Sequence, residues 1–361
     1  MEEWRSEPFE PEIRDGNLYG RGVADDKGQF YTWVAALDLM KAQGLELPVN
    51  IKILVEGAEE EGSRGLAQFV QEHKELLAAD VCVLSDTHCL SEDLPVITYG
   101  LRGLVYFEIT VRTLRQDVHS GIYGGNVLNA AAELTKVLAS LKNEDSKILI
   151  PGFYDKVREL GEEERVELAQ FPFVNENILE ETGATVVVGE KNHTIPERAG
   201  ARPSLDIHGL WSGYQSEGTK TIIPAVAGAK VSMRLVPFQK PKDVANKFRA
   251  YLEGLTPDGA NIEVKELSAN EPVLMDRSSD YFRSAERAYL KVFGRKPLYE
   301  LSGGSIGVTV DFKRILGIDS VMMGYGLPDD GLHGPNEKMS LKMFEKGIET
   351  NMEFLKSLGE K

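Results

Sequence analysis

Cysteine is nearly absent from this chain. Cys82 and Cys89 are the two cysteines in 361 residues, so a framework of disulfide bonds is excluded as the source of stability. Long apolar runs are lacking as well, since no stretch of about 18 apolar residues occurs. The first residues, Met1 to Ser6, lack the basic start and apolar segment of a signal peptide. These absences favour a soluble protein of the reducing cytoplasm.

Basic residues are fewer than acidic ones in this chain. The 57 Asp and Glu residues outnumber the 41 Lys and Arg residues, which leaves a formal net charge of -16. Such a surface repels phosphate backbones and anionic lipid headgroups. Nucleic acid and the membrane surface are therefore excluded as partners, whereas an abundance of carboxylates agrees with a protein that binds metal ions.

Length and pattern predict two domains. A chain of 361 residues exceeds what one hydrophobic core usually supports. We expect an α/β catalytic domain, with a mostly parallel sheet and helices on both faces, formed by residues 1–102 and 271–361. A smaller α+β domain at residues 103–270 is expected to interrupt it, because strand and helix patterns are mixed there.

Hydrophobic periodicity predicts the main elements. Apolar residues at helical spacing predict a helix over residues 29–43, with Gly44 at its C-terminal cap. Residues 50–55 are β-branched and apolar, which predicts a strand of a covered sheet. The other expected elements are strands at 81–84, 104–111 and 320–323, a helix capped by Asn126, a helix at 281–293, and a final helix from Leu341 to Leu355.

Four acidic or imidazole residues stand at loop starts, namely Asp25, Glu60, Asp86 and His333. The carboxyl ends of parallel strands converge at one edge of a sheet, which would bring such loops together. Carboxylates combined with imidazole are ligands of zinc and of manganese. Glu59, beside Glu60, is a candidate for the base that takes a proton from an activated water. Each residue alone is more typical of a solvated loop, but the combination predicts a metal site.

Seven motifs occur in one order along the chain. They are Gly20-Arg21-Gly22 with Asp25-Asp26-Lys27-Gly28, Glu56-Gly57-Ala58-Glu59-Glu60 with Gly62-Ser63, Ser85-Asp86, His119-Ser120-Gly121 with Tyr123-Gly124-Gly125, Arg234-Leu235-Val236-Pro237, Gly303-Gly304-Ser305, and Asp330-Gly331 with His333. In this order they resemble the aminoacylase and carboxypeptidase-G-like zinc metallopeptidases, in the branch of cytosolic nonspecific dipeptidases and carnosinases. The likeness extends from Trp4 to the last helix.

The resemblance implies a role for each metal-site residue. Asp25 would bridge two metal ions, Glu60 and His333 would complete one of them, and Asp86 would serve the other. Glu59 would be the general base that activates the bridging water. The implied cofactor is zinc, at two sites.

The resemblance also implies how substrate and partner are bound. Arg234 and the loop of Gly303, Gly304 and Ser305 would hold the terminal carboxylate of a short peptide. His119, in the inserted domain, would reach the site of a partner subunit and donate a hydrogen bond to the carbonyl oxygen as charge develops there. The resemblance thus implies that residues 103–270 are a lid and dimerisation domain, and a homodimer that assembles through it is expected.

The chain departs from the family pattern at two places. The family's first ligand, a histidine in a His-x-Asp motif before the segment matched by Trp4 to Phe9, has no counterpart, since His73 is the earliest histidine. The first metal site would then keep Asp25 and Asp86. His88, two residues beyond Asp86, is a candidate replacement, although an exposed loop histidine is the more usual interpretation. Ser302 stands where close relatives carry Glu, which bears on substrate selectivity.

These observations predict a metal-dependent hydrolase that cleaves the amide bond of dipeptides or short peptides with a metal-activated water. Zinc is the expected ion. At the first metal site, where only carboxylate ligands remain, the preference for manganese relative to zinc increases. Two alternatives stay open. One is an N-acyl amino acid hydrolase, and the other is a catalytically impaired relative that binds metal or peptide, because the first ligand histidine is absent.

Overall fold

The computed structural model describes residues 3–359. The chain divides into two compact units. The first unit holds the residues up to Tyr99, Leu274–Glu300 and those from Ile306 onward, and the second holds Gly100–Val273 and Leu301–Ser305. Among the helices within residues 3–359, none combines the length and apolar character that a bilayer-spanning segment requires.

Two short strands come first, three α-helices follow, and four strands in succession come next. The strands are β1 (Glu12–Arg14), β2 (Asn17–Tyr19), β3 (Cys82–Leu84), β4 (Val96–Leu101), β5 (Gly103–Arg112), β6 (Val118–His119), β7 (Ser204–Ser212), β8 (Ile222–Ile223), β9 (Val226–Leu235), β10 (Asn261–Asn270), β11 (Val273–Leu274), β12 (Leu298–Ser302), β13 (Ser320–Met323) and β14 (Lys338–Ser340). The helices are α1 (Lys27–Ala42), α2 (Leu66–Glu72), α3 (Lys74–Leu77), α4 (Ser120–Tyr123), α5 (Ala130–Ala139), α6 (Glu162–Leu168), α7 (Asn175–Thr182), α8 (Pro241–Leu255), α9 (Asp280–Phe293), α10 (Gly307–Asp311) and α11 (Leu341–Leu358). The helices predicted at 29–43, at 281–293 and from Leu341 are confirmed by α1, α9 and α11.

The first unit is built on a sheet with the strand order β11-β4-β13-β3, and β12 pairs with β4. β13 runs parallel to β3, with Val321 opposite Val83, and antiparallel to β4, with Met322 opposite Thr98. β4 and β13 are buried along their whole length, as strands covered on both faces must be. The α/β class is confirmed, and this sheet combines parallel with antiparallel pairing.

The strand expected at residues 50–55 is not formed, and that prediction was wrong. Within the described chain no strand is assigned between α1 and β3, and the side chains of Ile53 and Val55 are 63% and 61% exposed. β3 ends the path of the sheet, where it pairs with β13. A strand depends on backbone pairing with a neighbour, so apolar β-branched composition alone leaves this segment outside the sheet.

α1 and α11 pack against each other in the first unit. Ala36 and Met40 of α1 form one apolar cluster with Met352 and Leu355 of α11. Gln29, in the first turns of α1, is buried. Its amide nitrogen donates to the carbonyl oxygen of Ala24 (2.8 Å), and its amide oxygen accepts from the backbone N–H of Tyr325 (2.7 Å). Gln29 therefore ties the loop before α1 to the chain that follows β13.

The second unit is an α+β structure around a sheet with the order β10-β5-β9-β7, in which all pairs are antiparallel. Alternate residues of β5 are buried, including Val105, Phe107 and Ile109. The ring of Phe107 lies 4.8 Å from that of Phe248 in α8. This alternation places the helices on one face of the sheet and leaves side chains of the other face in contact with solvent.

Asn129, rather than Asn126, caps the first long helix of the second unit. The side-chain oxygen of Asn129 accepts from the backbone N–H groups of Ala131 (2.9 Å) and Ala132 (3.2 Å), which satisfies donors that a helix start leaves free. The prediction that placed the cap at Asn126 was wrong by one helical turn. Asn is an equally good cap at both positions, so the choice depends on where packing of α5 begins.

Candidate metal centre

Asp25 lies in the Gly-rich loop between β2 and α1. The loop turns so tightly that a Cβ atom on Gly28 would come within 2.0 Å of the carbonyl oxygen of Val23, so only glycine fits there. The Asp25 side chain is 18% exposed and points its Oδ2 atom toward His333, whose Nε2 lies 2.8 Å away. The local glycines thus place a carboxylate at a solvent-accessible point.

The loop that carries Asp25 is held by a buried carboxylate from the far end of the chain. Glu337 is 0% exposed. Its Oε1 accepts from the backbone N–H groups of Ala24 and Asp25, both at 3.0 Å, and its Oε2 accepts from Gly22 N–H (2.7 Å) and the Arg21 guanidinium (2.9 Å). Hydrogen bonds to an ionised acceptor are about twice as strong as neutral ones. Glu337 therefore fixes the loop of Asp25 and its own loop in one arrangement.

His333 belongs to that second loop, four residues before Glu337. Its backbone φ of 61° is in the left-handed region, which non-glycine residues occupy rarely and usually at a functional or constrained position. The imidazole is 70% exposed, and its Nε2 lies 3.3 Å from Glu60 Oε1. Arg21 donates to the carbonyl oxygen of Gly334 (2.6 Å), which holds the backbone beside the histidine.

Glu59 and Glu60 lie in a single 3-10 turn, Glu59–Glu61, that Gly62 ends with a φ of 82°. The ligand atoms of Asp25, Glu60 and His333 all lie within 4.8 Å of one another. Two ligands of one tetrahedral zinc lie about 3.4 Å apart, given metal–ligand distances near 2.1 Å. The three side chains thus form a group of the composition and spacing that could hold one divalent cation.

Asp86 lies just beyond β3, where Ser85 is fixed by a hydrogen bond from the Trp33 indole to its hydroxyl (2.7 Å). Burial, followed by the charges of Asp25 and Glu59, raises the pKa of Asp86 to about 7. Asp86 is therefore electrostatically coupled to the same group, although its ligand atoms are not part of the triad that lies within 4.8 Å.

Burial and the neighbouring negative charges also raise the pKa values of two further carboxyl groups. Burial and then the charges of Asp86 and Asp25 raise the pKa of Asp26 to about 9, and its Oδ1 is a buried oxygen that has no hydrogen-bond partner within residues 3–359. Partial desolvation, Glu60 and Asp25 raise the pKa of Glu59. Carboxylates that lie close together repel one another when ionised, and a bound cation removes this repulsion. The electrostatics of the site therefore favour a metal ion.

His88 is directed toward another acid in this structure. Its Nε2 lies 3.8 Å from Glu300 Oε1, and Glu300 also accepts from the hydroxyl of Thr98 (3.2 Å). The imidazole therefore has a carboxylate neighbour other than Asp86. Its use as a substitute metal ligand stays a prediction.

The predicted carboxylate-binding residues come together within the second unit. Arg234 Nη1 donates to the hydroxyl of Ser305 (3.2 Å), and the Ser305 hydroxyl donates to the backbone carbonyl of Arg102. Gly303 and Gly304 form the loop before it, where the Gly304 N–H donates to Ser302 Oγ (3.2 Å).

His119 is exposed at the end of β6, which pairs with β8. Its Nδ1 accepts from the backbone N–H of Gly121 (3.0 Å). In the neutral imidazole one nitrogen accepts and the other carries the proton. This bond therefore leaves Nε2 as a donor that faces away from the turn.

Four residues to which the sequence motifs gave no role hold these loops in place, namely Glu337, Arg21, Gln29 and Arg102. A signal existed for Glu337, which closes the motif Asp330-Gly331-Leu332-His333-Gly334-Pro335-Asn336-Glu337. No local pattern distinguishes a buried glutamate that binds backbone N–H groups from a solvated one, because its partners lie more than 300 residues away.

Replacing Glu337 with Gln is expected to lower the free energy of unfolding by about 3 kcal/mol, because one buried acceptor oxygen and the charge facing Arg21 are lost. Metal affinity should fall with it, since the Asp25 loop loses its anchor. Chemical denaturation and a chelator competition measure the two effects. Arg21→Met is the matched comparison, because it removes the partly exposed member and keeps the three backbone bonds. Equal stability of E337Q and wild type would contradict the anchoring role.

Comparison with known proteins now bears on this arrangement. A family model described as peptidase family M20/M25/M40 matches residues 1–357. The chain belongs to this family. Membership in the M20/M25/M40 peptidases confirms the resemblance stated from the motifs, and relatives from the dipeptidase and carnosinase branch are among the matches.

Three relatives of this M20/M25/M40 chain illustrate the similarity. It is 32% identical to the Cys-Gly metallodipeptidase of Schizosaccharomyces pombe over 351 residues, which covers 96% of this chain and 74% of the relative. It is 33% identical to the Beta-Ala-His dipeptidase of Homo sapiens over 342 residues, covering 93% and 68%. The crystal structure of an M20 family metallo-carboxypeptidase from Sulfolobus solfataricus superposes with a TM-score of 0.88 at 30% identity, covering 100% of this chain and 82% of the other.

Proposed function

We propose that this M20/M25/M40 peptidase is a metal-dependent dipeptidase. The observation that carries the proposal is the group of Asp25, Glu60 and His333, whose ligand atoms lie within 4.8 Å of one another beside Glu59. The relatives' names add the substrate class, since two are a metallodipeptidase and a dipeptidase at 32% and 33% identity.

Asp25, Glu60 and His333 would hold one ion, and Asp25 with Asp86 would hold a second. Two carboxylates and an imidazole fit zinc, whereas a pair of carboxylates is relatively better for manganese. The buried Asp26 Oδ1 lacks a hydrogen-bond partner in residues 3–359, and the pKa of Asp26, raised to about 9 by burial and by the charges of Asp86 and Asp25, reflects the concentration of negative charge at these positions. A bound divalent ion supplies polarisation of the substrate carbonyl and acidification of water.

Glu59 is the proposed general base. It adjoins a ligand without belonging to the triad, so its carboxylate is free to accept the proton of the attacking water and later to pass it to the departing amine. Its raised pKa makes it a stronger proton acceptor than an ordinary glutamate. The balance of the reaction is one water consumed, one amide bond broken, and one carboxylate and one ammonium group formed.

Arg234 and Ser305 are proposed to bind the terminal carboxylate of the peptide. Arg234 already donates to the Ser305 hydroxyl (3.2 Å), and a guanidinium beside a hydroxyl is suited to a carboxylate. The adjoining loop of Gly303 and Gly304 has no side chains, and the N–H of Gly304 donates to Ser302 Oγ (3.2 Å). Binding at the end of the substrate would set the register of cleavage and limit substrate length.

His119 is proposed to act in the site of a second subunit, where its Nε2–H would donate to the oxygen of the carbonyl under attack. A homodimer through the second unit is supported by β7, an edge strand on which Ile207, Leu210 and Trp211 are 43%, 60% and 37% exposed. Exposed apolar edge strands favour pairing with another chain. A monomer in sedimentation velocity at micromolar concentration would contradict this assembly.

The free thiols of Cys82 and Cys89 are compatible with a reducing compartment, and we propose a cytoplasmic location on that basis. Cys89 is fully buried and its Sγ donates to the Gly324 carbonyl oxygen (3.3 Å).

The experiment that tests the function compares two substrate classes with the same enzyme. After chelation and dialysis, we expect no hydrolysis of Ala-Ala or Cys-Gly, and recovery of hydrolysis when zinc or manganese is restored. N-acetyl-alanine should be cleaved at least about 100-fold more slowly, because it lacks the amino terminus of a dipeptide. Faster cleavage of the acylated amino acid would support the N-acyl hydrolase instead. Metal binding without turnover of either class would indicate the impaired relative.

A further inference from the structure

Two arginine side chains meet at one loop of the second unit. Arg102 Nε donates to the carbonyl oxygen of Gly303 (3.3 Å) and Arg102 Nη1 to that of Arg202 (3.4 Å). Arg234 reaches the same loop from β9 through the Ser305 hydroxyl. The contacts of Arg102 with the loop are to backbone oxygens, so its positive charge is not neutralised there.

Within residues 3–359 neither guanidinium forms an ion pair, although the charge of Asp206 acts on Arg102 from a greater distance and opposes the lowering of its pKa. In the described part of the chain, no carboxylate lies within 4.0 Å of Arg102 or Arg234, whereas Arg202 and Arg249 of the same unit pair with Glu190 (2.7 Å) and Glu266 (3.0 Å). Both side chains are partly buried. Burial and then the nearby charge of Arg234 lower the pKa of Arg102 to about 10. Two partly buried like charges that have no carboxylate in direct contact are costly, and a bound anion would lower this cost.

The loop approaches Arg102 closely at a position that has no side chain. A Cβ atom on Gly303 would lie 2.8 Å from Arg102 Nη2 and 3.0 Å from the carbonyl oxygen of Ala199, so a larger residue there would displace the guanidinium. Ser302 Oγ accepts from Gly304 N–H and is a short neutral side chain. The side chain at position 302 therefore carries no negative charge that would compete with an external anion for the arginines.

We propose that Arg102 and Arg234 form a two-charge anion site that selects dipeptides whose C-terminal residue is acidic. One guanidinium takes the terminal carboxylate, and the other takes the side-chain carboxylate of Asp or Glu. Arg102 is then a specificity-determining residue for the proposed dipeptidase reaction, on which this inference rests.

The test compares substrates of equal shape. For wild type, kcat/KM for Ala-Glu should exceed that for Ala-Gln by about tenfold, because one additional charge-assisted hydrogen bond typically changes affinity by this factor. Ser302→Glu adds a carboxylate to the loop that Arg102 and Arg234 contact, and the ratio should fall to about one. Ser302→Gln, of equal size and no charge, should keep the tenfold ratio. Arg102→Met should also abolish the preference, and Arg249→Met, a change at an exposed arginine of the same unit, should not.

A second measurement separates this inference from the proposed function. Calorimetric titration of the metal-loaded protein with L-glutamate and with L-glutamine compares ligands whose α-amino and α-carboxyl groups are identical. Tighter binding of glutamate in wild type and in S302Q, but not in S302E, supports the site even if no dipeptide is hydrolysed. Equal binding of the two amino acids, or equal selectivity of S302E and S302Q, overturns it. Because S302E and S302Q leave both arginines in place, failure of R102M to fold would not remove the test.

Discussion

Replacing Glu59 with Gln is expected to lower kcat for a dipeptide by about 10²- to 10⁴-fold, the usual loss when a general base is removed. The amide has nearly the same shape but cannot accept the proton of water. Bound metal should remain unchanged, because Asp25, Glu60 and His333 form the ligand group without Glu59. Steady-state kinetics and elemental analysis of the dialysed protein measure the two quantities.

The neighbouring glutamates provide matched controls for Glu59. Glu61 belongs to the same 3-10 turn and has no assigned role, so Glu61→Gln should retain activity. Glu60→Gln should lose metal as well as activity. If E59Q lost its metal while E60Q kept it, the roles of base and ligand would have to be exchanged. Unchanged turnover in E59Q would remove Glu59 from the mechanism.

His333→Ala should weaken metal binding by at least about 100-fold and reduce dipeptide hydrolysis below about 1% of wild type. It deletes the only neutral nitrogen ligand of the described triad, whose Nε2 lies 2.8 Å from Asp25 Oδ2 and 3.3 Å from Glu60 Oε1. Two carboxylates alone bind zinc less well than a mixed set. Equilibrium dialysis of a polypeptide of residues 1–361 against zinc measures the affinity directly.

His73 offers the control for this substitution. Its ring stacks on that of Phe69, 4.2 Å away, and its Nδ1 contacts the Phe69 carbonyl oxygen (2.9 Å), so it has a local structural role. His73→Ala should keep metal and activity. Retention of metal in H333A would show that other groups hold the ion. In that case His88→Ala should remove it, and a double variant that still binds would refute the proposed ligand set.

Local sequence determined the helices and part of the sheet. Apolar spacing is a property of the segment itself, which is why α1, α9 and α11 were predicted close to their observed bounds. The run at 320–323 coincides with β13, which is buried throughout. The motif order was equally informative, because it identified the family that the comparison with known proteins confirms. Asp25, Glu60 and His333 were named from those motifs and lie together in the structure.

Tertiary structure decided what depends on a distant partner. Residues 50–55 have the composition of a strand, yet pairing was required and the segment lies outside the sheet. Asn126 and Asn129 are chemically equal caps, and packing of α5 selected Asn129. Both outcomes follow from interactions that a local pattern does not contain.

The same distinction applies to the functional groups. Residue type and motif determined that carboxylates and an imidazole would be candidate ligands. Only folding decided that Glu337 would be buried and would bind the backbone N–H groups that hold Asp25 in place, and that Arg102 would stand beside Arg234 without a carboxylate partner. The sequence does not distinguish a charged side chain that is solvated from one that anchors a loop or binds a ligand. The environment of the side chain, set by residues more than 300 positions away in the case of Glu337, gives it one of these roles.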